Sequence, residues 1–303
     1  MMNIINPSIK LKSIIDRNDY EKIKYLENIC HEHDKTSLKL ELDYKLSNSK
    51  SSETNLVNIN EFMYFNNDEL IGYLGICDFG GDEIEVNGIV HPQYRRMGVF
   101  KRLFSLVRDE WQKRKSVSML LISDHQSTSG IEFIKSVCDG YAHSEYDMIL
   151  NIESFQKLQS KTLKLRKITK DDASEIARQN SMYFNMEFSE EDNIETEGGS
   201  YKNITYMAEK EHEAIGKVRI EINNKQGGIY GLGVLPEYRG LGYGRQILSM
   251  AIEELLNNNA ESIFLQVLTN NKNALNLYKS CGFSERYTMD YYIIRNDNGE
   301  NNG

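Results

Sequence analysis

The stretch "VLPEYRGLGYGRQIL" (Val234–Leu248) decides how this chain is read. An apolar, strand-like run, "GIYGLGV", leads into it, and a helix-like run, "RQILSMAIEELL", leaves it. Between them lie Arg239, Gly240, Leu241, Gly242, Tyr243, Gly244 and Arg245. A helix N-terminus leaves about four backbone N–H groups without internal partners, and those donors together with the helix dipole favour an anion. Glycines let that anion approach the backbone without a Cβ in the way, and the two arginines add positive charge. The junction suits phosphate or pyrophosphate. It is not a P-loop, because no Lys-Ser or Lys-Thr follows the glycines. It is not a dinucleotide fingerprint either, since Arg245 occupies the position of the third glycine when counting starts at Gly240.

The chain repeats itself. At an offset of 144 residues, "IVHPQYRRMGVFKRLFSL" (Ile89–Leu106) lies over "GVLPEYRGLGYGRQILSM" (Gly233–Met250). Val90 meets Val234, Pro92 meets Pro236, Tyr94 meets Tyr238, Arg95 meets Arg239 and Gly98 meets Gly242. "FIKSV" (Phe133–Val137) meets "LYKSC" (Leu277–Cys281) at the same offset. This predicts two copies of one domain, residues 1–155 and 161–297, joined near Asn151–Leu165, with a disordered tail at 298–303.

Within the second copy, "TLKLRKI" alternates as a strand does, and Thr169 is placed to cap a following helix. Three strand-like runs come next: "NITYMAEK", "EAIGKVRIEI" and "GGIYGLGV". The amphipathic helix "RQILSMAIEELLNNN", the buried strand "SIFLQVL", the short helix "NKNALNLYKSC" stopped by Gly282, and the strand "RYTMDYYII" complete the copy. The first copy follows the same order: a helix near Tyr20–Cys30, strands near Glu61–Asn66, Glu69–Asp78 and Glu83–Val90, a helix Val99–Lys113, a strand Val117–Ser123, a helix Gly130–Cys138 and a strand Ser144–Asn151. Strands and helices in this order indicate α/β sheets with helices on both faces.

The junction motif V-x-P-x-Y-R-G-x-G-x-G resembles the acyl-CoA-binding motif of the GNAT N-acetyltransferase superfamily, with its core at Arg239, Gly242 and Gly244. A second stretch, "NKNALNLYKSCGF", resembles that family's later motif through Asn271, Ala274, Leu277, Tyr278, Gly282 and Phe283. The resemblance is close over Lys161–Arg295 and looser over Ile14–Leu150, a two-copy layout also found in mycothiol synthase. It implies two GNAT-like domains, each a mixed, mostly antiparallel central sheet flanked by helices. It implies acetyl-CoA as co-substrate and an amine as acceptor. Backbone groups of Leu232, Gly233 and Val234 would bond the pantetheine arm, and N–H groups from Arg239 to Arg245, through Gly240, Leu241, Gly242, Tyr243 and Gly244, would hold the pyrophosphate. Asn271 would bond the pantetheine, or serve only as a helix N-cap. Tyr278 would protonate the departing thiolate, or be a packed core tyrosine; its phenol has an ordinary pKa of about 10.

The first copy departs from the motif. Phe100 replaces the last glycine, Ser127 replaces the asparagine and Ile134 replaces the tyrosine. Isoleucine has no proton to give, so that copy is expected to be catalytically inactive. Its loop, Val90, Arg96, Met97, Gly98, Val99 and Lys101, either still binds CoA or survives only as a turn. The general base is the least defined element. Tyr230 and Glu221 are the nearest polar candidates in copy two, while Glu83 and Glu85 read as solvent-facing positions of the matching strand in copy one. Tyr183, Phe184 and Phe188 read as an acceptor wall or as helix packing. Glu190, Glu191, Asp192, Glu195 and Glu197 read as a lure for a cationic amine or as a solvated helix face.

Composition narrows the classes. The chain has 303 residues, a net charge of −9 and 27% charged side chains. Both halves are mildly acidic, which argues against a nucleic-acid partner. No apolar run approaches the roughly 18 residues of a membrane span, and the N-terminus lacks a signal-peptide pattern, so the expected compartment is the cytoplasm. Cys30, Cys77, Cys138 and Cys281 lie far apart without metal-ligand spacing, which predicts reduced thiols and no zinc site. His31, His33 and His125 have no complementary ligand cluster in the sequence, so no metal is expected.

Overall fold

Side-chain alternation builds the sheets. In the computed structural model, which describes residues 3–48, 58–79, 82–114, 116–184, 197–198 and 201–296, the strand Glu213–Asn223 buries Val218, Ile220 and Ile222 in one core. It turns Lys217, Arg219 and Glu221 to its other face, as a period of two requires.

The chain forms two compact units. Unit 1 takes the residues up to Ser144 and those from Tyr287 onward; unit 2 takes Glu145–Arg286. Unit 1 contains β1 (Pro7–Lys12), α1 (Arg17–Asp34), α2 (Leu42–Asn48), β2 (Glu61–Asn66), β3 (Glu69–Cys77), β4 (Glu83–Val90), α3 (Val99–Trp111), β5 (Ser118–Asp124) and α4 (Thr128–Lys135). The strand β6 (Gly140–Leu150) begins in unit 1 and gives Glu145–Leu150 to unit 2. Unit 2 continues with β7 (Lys164–Lys167), α5 (Ala173–Phe184), β8 (Glu197–Gly198), β9 (Tyr201–Lys210), β10 (Glu213–Asn223), β11 (Gln226–Val234), α6 (Tyr243–Asn257), β12 (Ser262–Leu268) and α7 (Lys272–Ser280). The last strand, β13 (Phe283–Arg295), starts in unit 2 and gives Tyr287–Arg295 to unit 1.

In unit 1 the strand order is β1-β2-β3-β4-β5-β13, antiparallel except for the parallel β4–β5 pair. In unit 2 the order is β6-β12-β11-β10-β9-β7, antiparallel except for the parallel β11–β12 pair, with β8 beside β9. Each sheet is mixed and mostly antiparallel, flanked by helices.

The units do not follow the repeat boundaries 1–155 and 161–297; they differ by an exchange of final strands. Tyr292 and Ile294 of β13 lie in the core of unit 1 with Leu103, Val107 and Trp111, and Met289 and Tyr291 pack on Leu120 and Ile122. Met148 and Leu150 of β6 lie in the core of unit 2. Burial of these alternating apolar side chains fixes where each strand pairs. The tail at 298–303 lies outside the described residues.

The predicted elements recur with shifted ends. The helix expected over Tyr20–Cys30 extends to Arg17–Asp34, because Asp16 and Asp19 form a reciprocal capping box at its start. The short helix α2 and the strand β1 have no counterpart in the sequence reading.

Candidate active site

Strand β11 carries the distinguishing feature of unit 2. Its pairing with β10 shifts by one residue between Lys217/Gly233 and Arg219/Tyr230. The extra residue makes a β-bulge, and Gly231 within it has φ +55°. A left-handed φ of this kind is open to glycine at little cost and is poor for β-branched residues. On its other edge, β11 pairs with β12 only from Gln226/Ser262 to Ile229/Leu265. The stretch Tyr230–Val234, with Leu232, Gly233 and Val234, lies beyond the end of that ladder.

The loop that follows is stitched by its own residues. Tyr238 N–H donates to Leu235 O at 2.9 Å, and Arg239 Nε donates to Val234 O at 2.9 Å. Gly240 and Gly242 have φ of +75° and +83°. Gly242 is the N-cap of α6, and no side chain caps that helix. No side chain caps the first turn, Tyr243 through Gly244 to Arg245, an arrangement that suits an anion. The arginine side chains brace the protein through neutral acceptors and so keep their positive charge beside the loop. Arg239 braces Val234 and lies over the Tyr183 ring at 6.0 Å, while Arg245 donates to Ser280 Oγ at 2.7 Å and to Ser280 O at 3.3 Å. Leu241 is exposed at the loop tip.

The second motif lies on α7. Asn271 is its N-cap, accepting from Ala274 N–H at 3.2 Å, so the capping role read for it is realised. Leu277 lies 3.3 Å from where a Cβ on Gly244 would stand, which brings the two motifs together. Tyr278 is buried, its ring 6.1 Å from Phe283 in an edge arrangement. Burial pushes its phenol up to about 12.

The α5 face of the sheet is polar around the bulge. Lys217 is only 6% exposed and donates to Asn180 Oδ1 on α5. Its Nζ lies 3.7 Å from where a Cβ on Gly231 would stand. Burial, and then the nearby Arg219, pull Lys217 down from 10.5 to about 8. A Cβ on Gly233, the residue opposite Lys217, would fall inside the Tyr183 ring, so Tyr183 walls the bulge on this face. The base candidates read from the sequence, Tyr230 and Glu221, lie on the same strands as the bulge and are engaged by Arg219. Tyr230 folds back over Gly228, with Arg219 5.1 Å from its ring, and Glu221 is ion-paired with Arg219 at 3.4 Å. Sequence reading passed over Lys217 because one lysine in the alternating run "KVRIEI" reads as a solvated side chain. Phe188 and the acidic residues Glu190, Glu191, Asp192 and Glu195 lie outside the described residues, as do the side chains of Phe184 and Glu197.

Unit 1 builds the same junction differently. Pairing of β3 with β4 runs without a shift from Gly72/Val90 to Cys77/Glu85, so there is no bulge. The β4–β5 ladder stops at Val86/Leu121, as the β11–β12 ladder stops at Ile229/Leu265. Arg95 Nε donates to Val90 O at 3.0 Å, matching Arg239, and its guanidinium also grips Asp34. Gly98, φ +81°, is the N-cap of α3 and again no side chain caps the helix. Arg96 holds φ +63° where copy two has Gly240. Phe100 sits on Phe133 at 4.5 Å, and Ser127 caps α4. Ile134 is buried at the place of the tyrosine.

A cavity of about 490 Å³ opens in this unit between β4, β5, α3 and α4. Val90, Arg96, Gly98, Val99 and Lys101 line it together with Cys30, Ile122 and Phe133; Met97 is exposed outside it. Glu83 is exposed as expected and accepts from Ser118 Oγ at 2.7 Å, but Glu85 is half-buried, 3.7 Å from Lys39, because β4 is covered there. Among the described residues no group of three or more His, Cys, Asp or Glu lies together as a metal site. Cys30 and Cys77 are buried, Cys138 and Cys281 half-buried, all as free thiols. No described helix is long and apolar enough to cross a membrane.

Comparison with known proteins bears directly on this geometry. Residues 169–283 match the acetyltransferase (GNAT) family. The chain resembles a GCN5-related N-acetyltransferase from Sphaerobacter thermophilus over 95% of both chains, with TM-score 0.71 and 15% identity. It resembles a tandem GNAT protein of the clavulanic acid biosynthesis pathway over 96% of this chain and 98% of that one, with TM-score 0.68 and 12% identity.

The chain has the fold of tandem GNAT proteins, and its second copy matches the GNAT family.

Two curated relatives match in sequence. An N-alpha-acetyltransferase of Sulfurisphaera tokodaii is 32% identical over 105 residues, 30% of this chain and 63% of that protein. An uncharacterised N-acetyltransferase of Bacillus subtilis is 37% identical over 76 residues, 25% of this chain and 31% of that protein. The match therefore spans less than two thirds of either relative. The GNAT family match begins at Thr169 and ends at Phe283, so it falls on the copy that carries the bulge and both motifs.

Proposed function

We propose that this chain is a tandem GNAT protein that transfers an acetyl group from acetyl-CoA to an amine, and that unit 2 performs the transfer. The observation that carries the reading is the β-bulge at Gly231, on the strand that leads through the loop to an uncapped helix N-terminus. The open edge of β11 beyond Ile229 fits a pantetheine arm laid alongside as an added strand, through the backbone of Leu232, Gly233 and Val234. The first turn of α6 fits the pyrophosphate. At the bulge, N–H groups turned toward the cleft would polarise the acetyl carbonyl as an unprotonated amine attacks it. Tyr278 lies on the helix that closes the cleft against Gly244. A thiol has an ordinary pKa of about 8.5, so a phenol raised to about 12 hydrogen-bonds the departing thiolate rather than surrendering its proton outright. The α5 face around Tyr183 is the acceptor side, and the acceptor is a small-molecule or peptide amine.

A non-catalytic, acyl-CoA-holding role fits unit 1. Its cavity has the parted strands and uncapped helix of the family's cofactor cleft, but no bulge and no tyrosine. The test is acetyl-CoA with a panel of small and peptide amines, read by free-thiol release. The expected result is amine-dependent release; CoA binding without release for any amine would leave only the holding role.

A further inference from the structure

Tyr183 stands in the last turn of α5, and its seat on the sheet is narrowly defined. A Cβ on Gly233 would fall inside its ring, so the ring rests directly on the β11 backbone. Its neighbours hold it there. The hydroxyl donates to Gln179 Oε1 at 3.2 Å, one turn back on the same helix. Gln179 is fully buried and donates to Glu175 Oε1 at 2.7 Å, so that acceptor is itself fixed. Arg239 lies over the ring at 6.0 Å, braced by its bond to Val234 O. The helix is pinned to β10 where Lys217 donates to Asn180 Oδ1. Unit 1 fills the matching space from the strand instead: Ile89 occupies the place of Gly233 and is buried with Tyr73 and Met63. In unit 2 the strand gives up its side chain and a helix residue takes the space, so this wall depends on one ring.

We propose that Tyr183 sets the acceptor class of unit 2, admitting primary amines borne on an unbranched CH2 carbon and rejecting those branched at that carbon. The proposal rests on the reading of unit 2 as the transferring unit. Gly233 lies two residues beyond Gly231, about 6 Å along the strand. An amine attacking a carbonyl held at the bulge must bring its nitrogen to about 3–3.5 Å from the carbonyl carbon. Its first carbon is one bond further out, alongside the ring. A methyl on that carbon has to displace either the ring or the nitrogen. Displacing the ring breaks its contacts with Gln179 and Arg239; displacing the nitrogen loses the attack distance. The class admitted contains alkylamines, lysine-like side chains and peptides that start with glycine. Peptides that start with any other residue carry a branched α-carbon and are excluded.

The experiment is kcat/KM, read by thiol release, for matched amine pairs that differ by one methyl on the amine-bearing carbon. The pairs are n-propylamine with sec-butylamine, benzylamine with its α-methyl homologue, and a glycine-starting with an alanine-starting peptide. Within each pair the basicity is nearly the same, so the ratio reports shape rather than charge. The native protein should favour the unbranched member by at least about 10-fold. Tyr183→Ala should bring the two members to within about threefold of one another, with acetyl-CoA affinity also within about threefold of native. Tyr183→Phe keeps the ring and should keep the preference. Tyr183→Leu, a smaller apolar replacement for the same site, should lower the preference in the same direction. A ratio between two amines cancels any loss of folded protein, so a purely structural role would leave it unchanged. Native protein that uses both members equally, or prefers the branched one, overturns the proposal. So does a preference that survives both Tyr183→Ala and Tyr183→Leu; in either case the transfer reading stands. Release with no amine at all overturns both.

Discussion

The loops "VLPEYRGLGYGRQIL" and "VHPQYRRMGVFKRLF" reach nearly the same geometry from different residues. In both, an arginine five residues on donates back to a valine carbonyl, and a glycine at φ near +80° starts a helix that no side chain caps. The arginine brace and the N-cap glycine are therefore what set the loop. The remaining glycines of copy two are not needed for it, since Arg96 and Phe100 are accommodated at their places in copy one. What separates the copies is the strand before the loop. β11 has a bulge with Lys217 beside it, whereas β4 is regular and has Tyr73 opposite Ile89, hydrogen-bonded to Glu61 at 2.6 Å. Under the proposed transfer by unit 2, the loop offers the place for an anion and the bulge the place for the reaction.

The comparison can be broken most severely at the bulge. Gly231→Val puts a β-branched residue at a left-handed φ and should either straighten β11 or strain it by about 1–3 kcal/mol. Amine-dependent thiol release should fall by at least about 100-fold, measured alongside a melting curve to separate catalysis from unfolding. Next comes Tyr278→Phe, which keeps the ring on Phe283 and removes the hydroxyl. Turnover should drop about 10- to 100-fold with acetyl-CoA affinity within about threefold; equal losses in both would make Tyr278 a packing residue.

A stability measurement tests the charge of Lys217 independently of turnover. Its folded pKa of about 8 lies below the ordinary 10.5, so between those values the unfolded chain binds more protons and native stability rises with pH. Below about 8 the buried ammonium carries its full penalty. Lys217→Met should thus be more stable than native at pH 7, by about 1–3 kcal/mol, with the gain disappearing above about 10.5. Denaturant titrations at the two pH values decide it, and a destabilised variant at pH 7 would show that the contacts of Lys217, that with Asn180 among them, outweigh burial. The smallest effect is expected in copy one. Arg96→Gly relieves a left-handed arginine and should stabilise unit 1 by about 0.5–1 kcal/mol, read as a small rise in Tm; no change would mean that Arg96 is unstrained.

Much of this was legible in the residues. The offset between the two copies located both junctions, and alternation found the strands β9, β10 and β11 near their true ends. The exchange of final strands was not legible, because "RYTMDYYII" has the same period whichever sheet it joins; only the partners of Met289, Tyr291, Tyr292 and Ile294 decide that. The bulge was hidden for a similar reason. "GGIYGLGV" reads as one continuous strand, and Gly231 is marked only by its backbone angle. The charge that Arg239 and Arg245 bring to the junction was legible, but their bonds to Val234 O and Ser280 Oγ were not, since those acceptors are set by the fold.

The most direct test exchanges the residue that distinguishes the loops. Gly244→Phe gives copy two the ring of copy one, against Leu277; Phe100→Gly gives copy one the glycine of copy two. Free-thiol release from acetyl-CoA with the best amine of the panel is then measured for native protein and both variants. Transfer by unit 2 predicts that Gly244→Phe, whose ring must displace Leu277, lowers release and that Phe100→Gly leaves its rate unchanged. Release that survives Gly244→Phe and rises or collapses in Phe100→Gly would place the chemistry in unit 1 and contradict the assignment to unit 2.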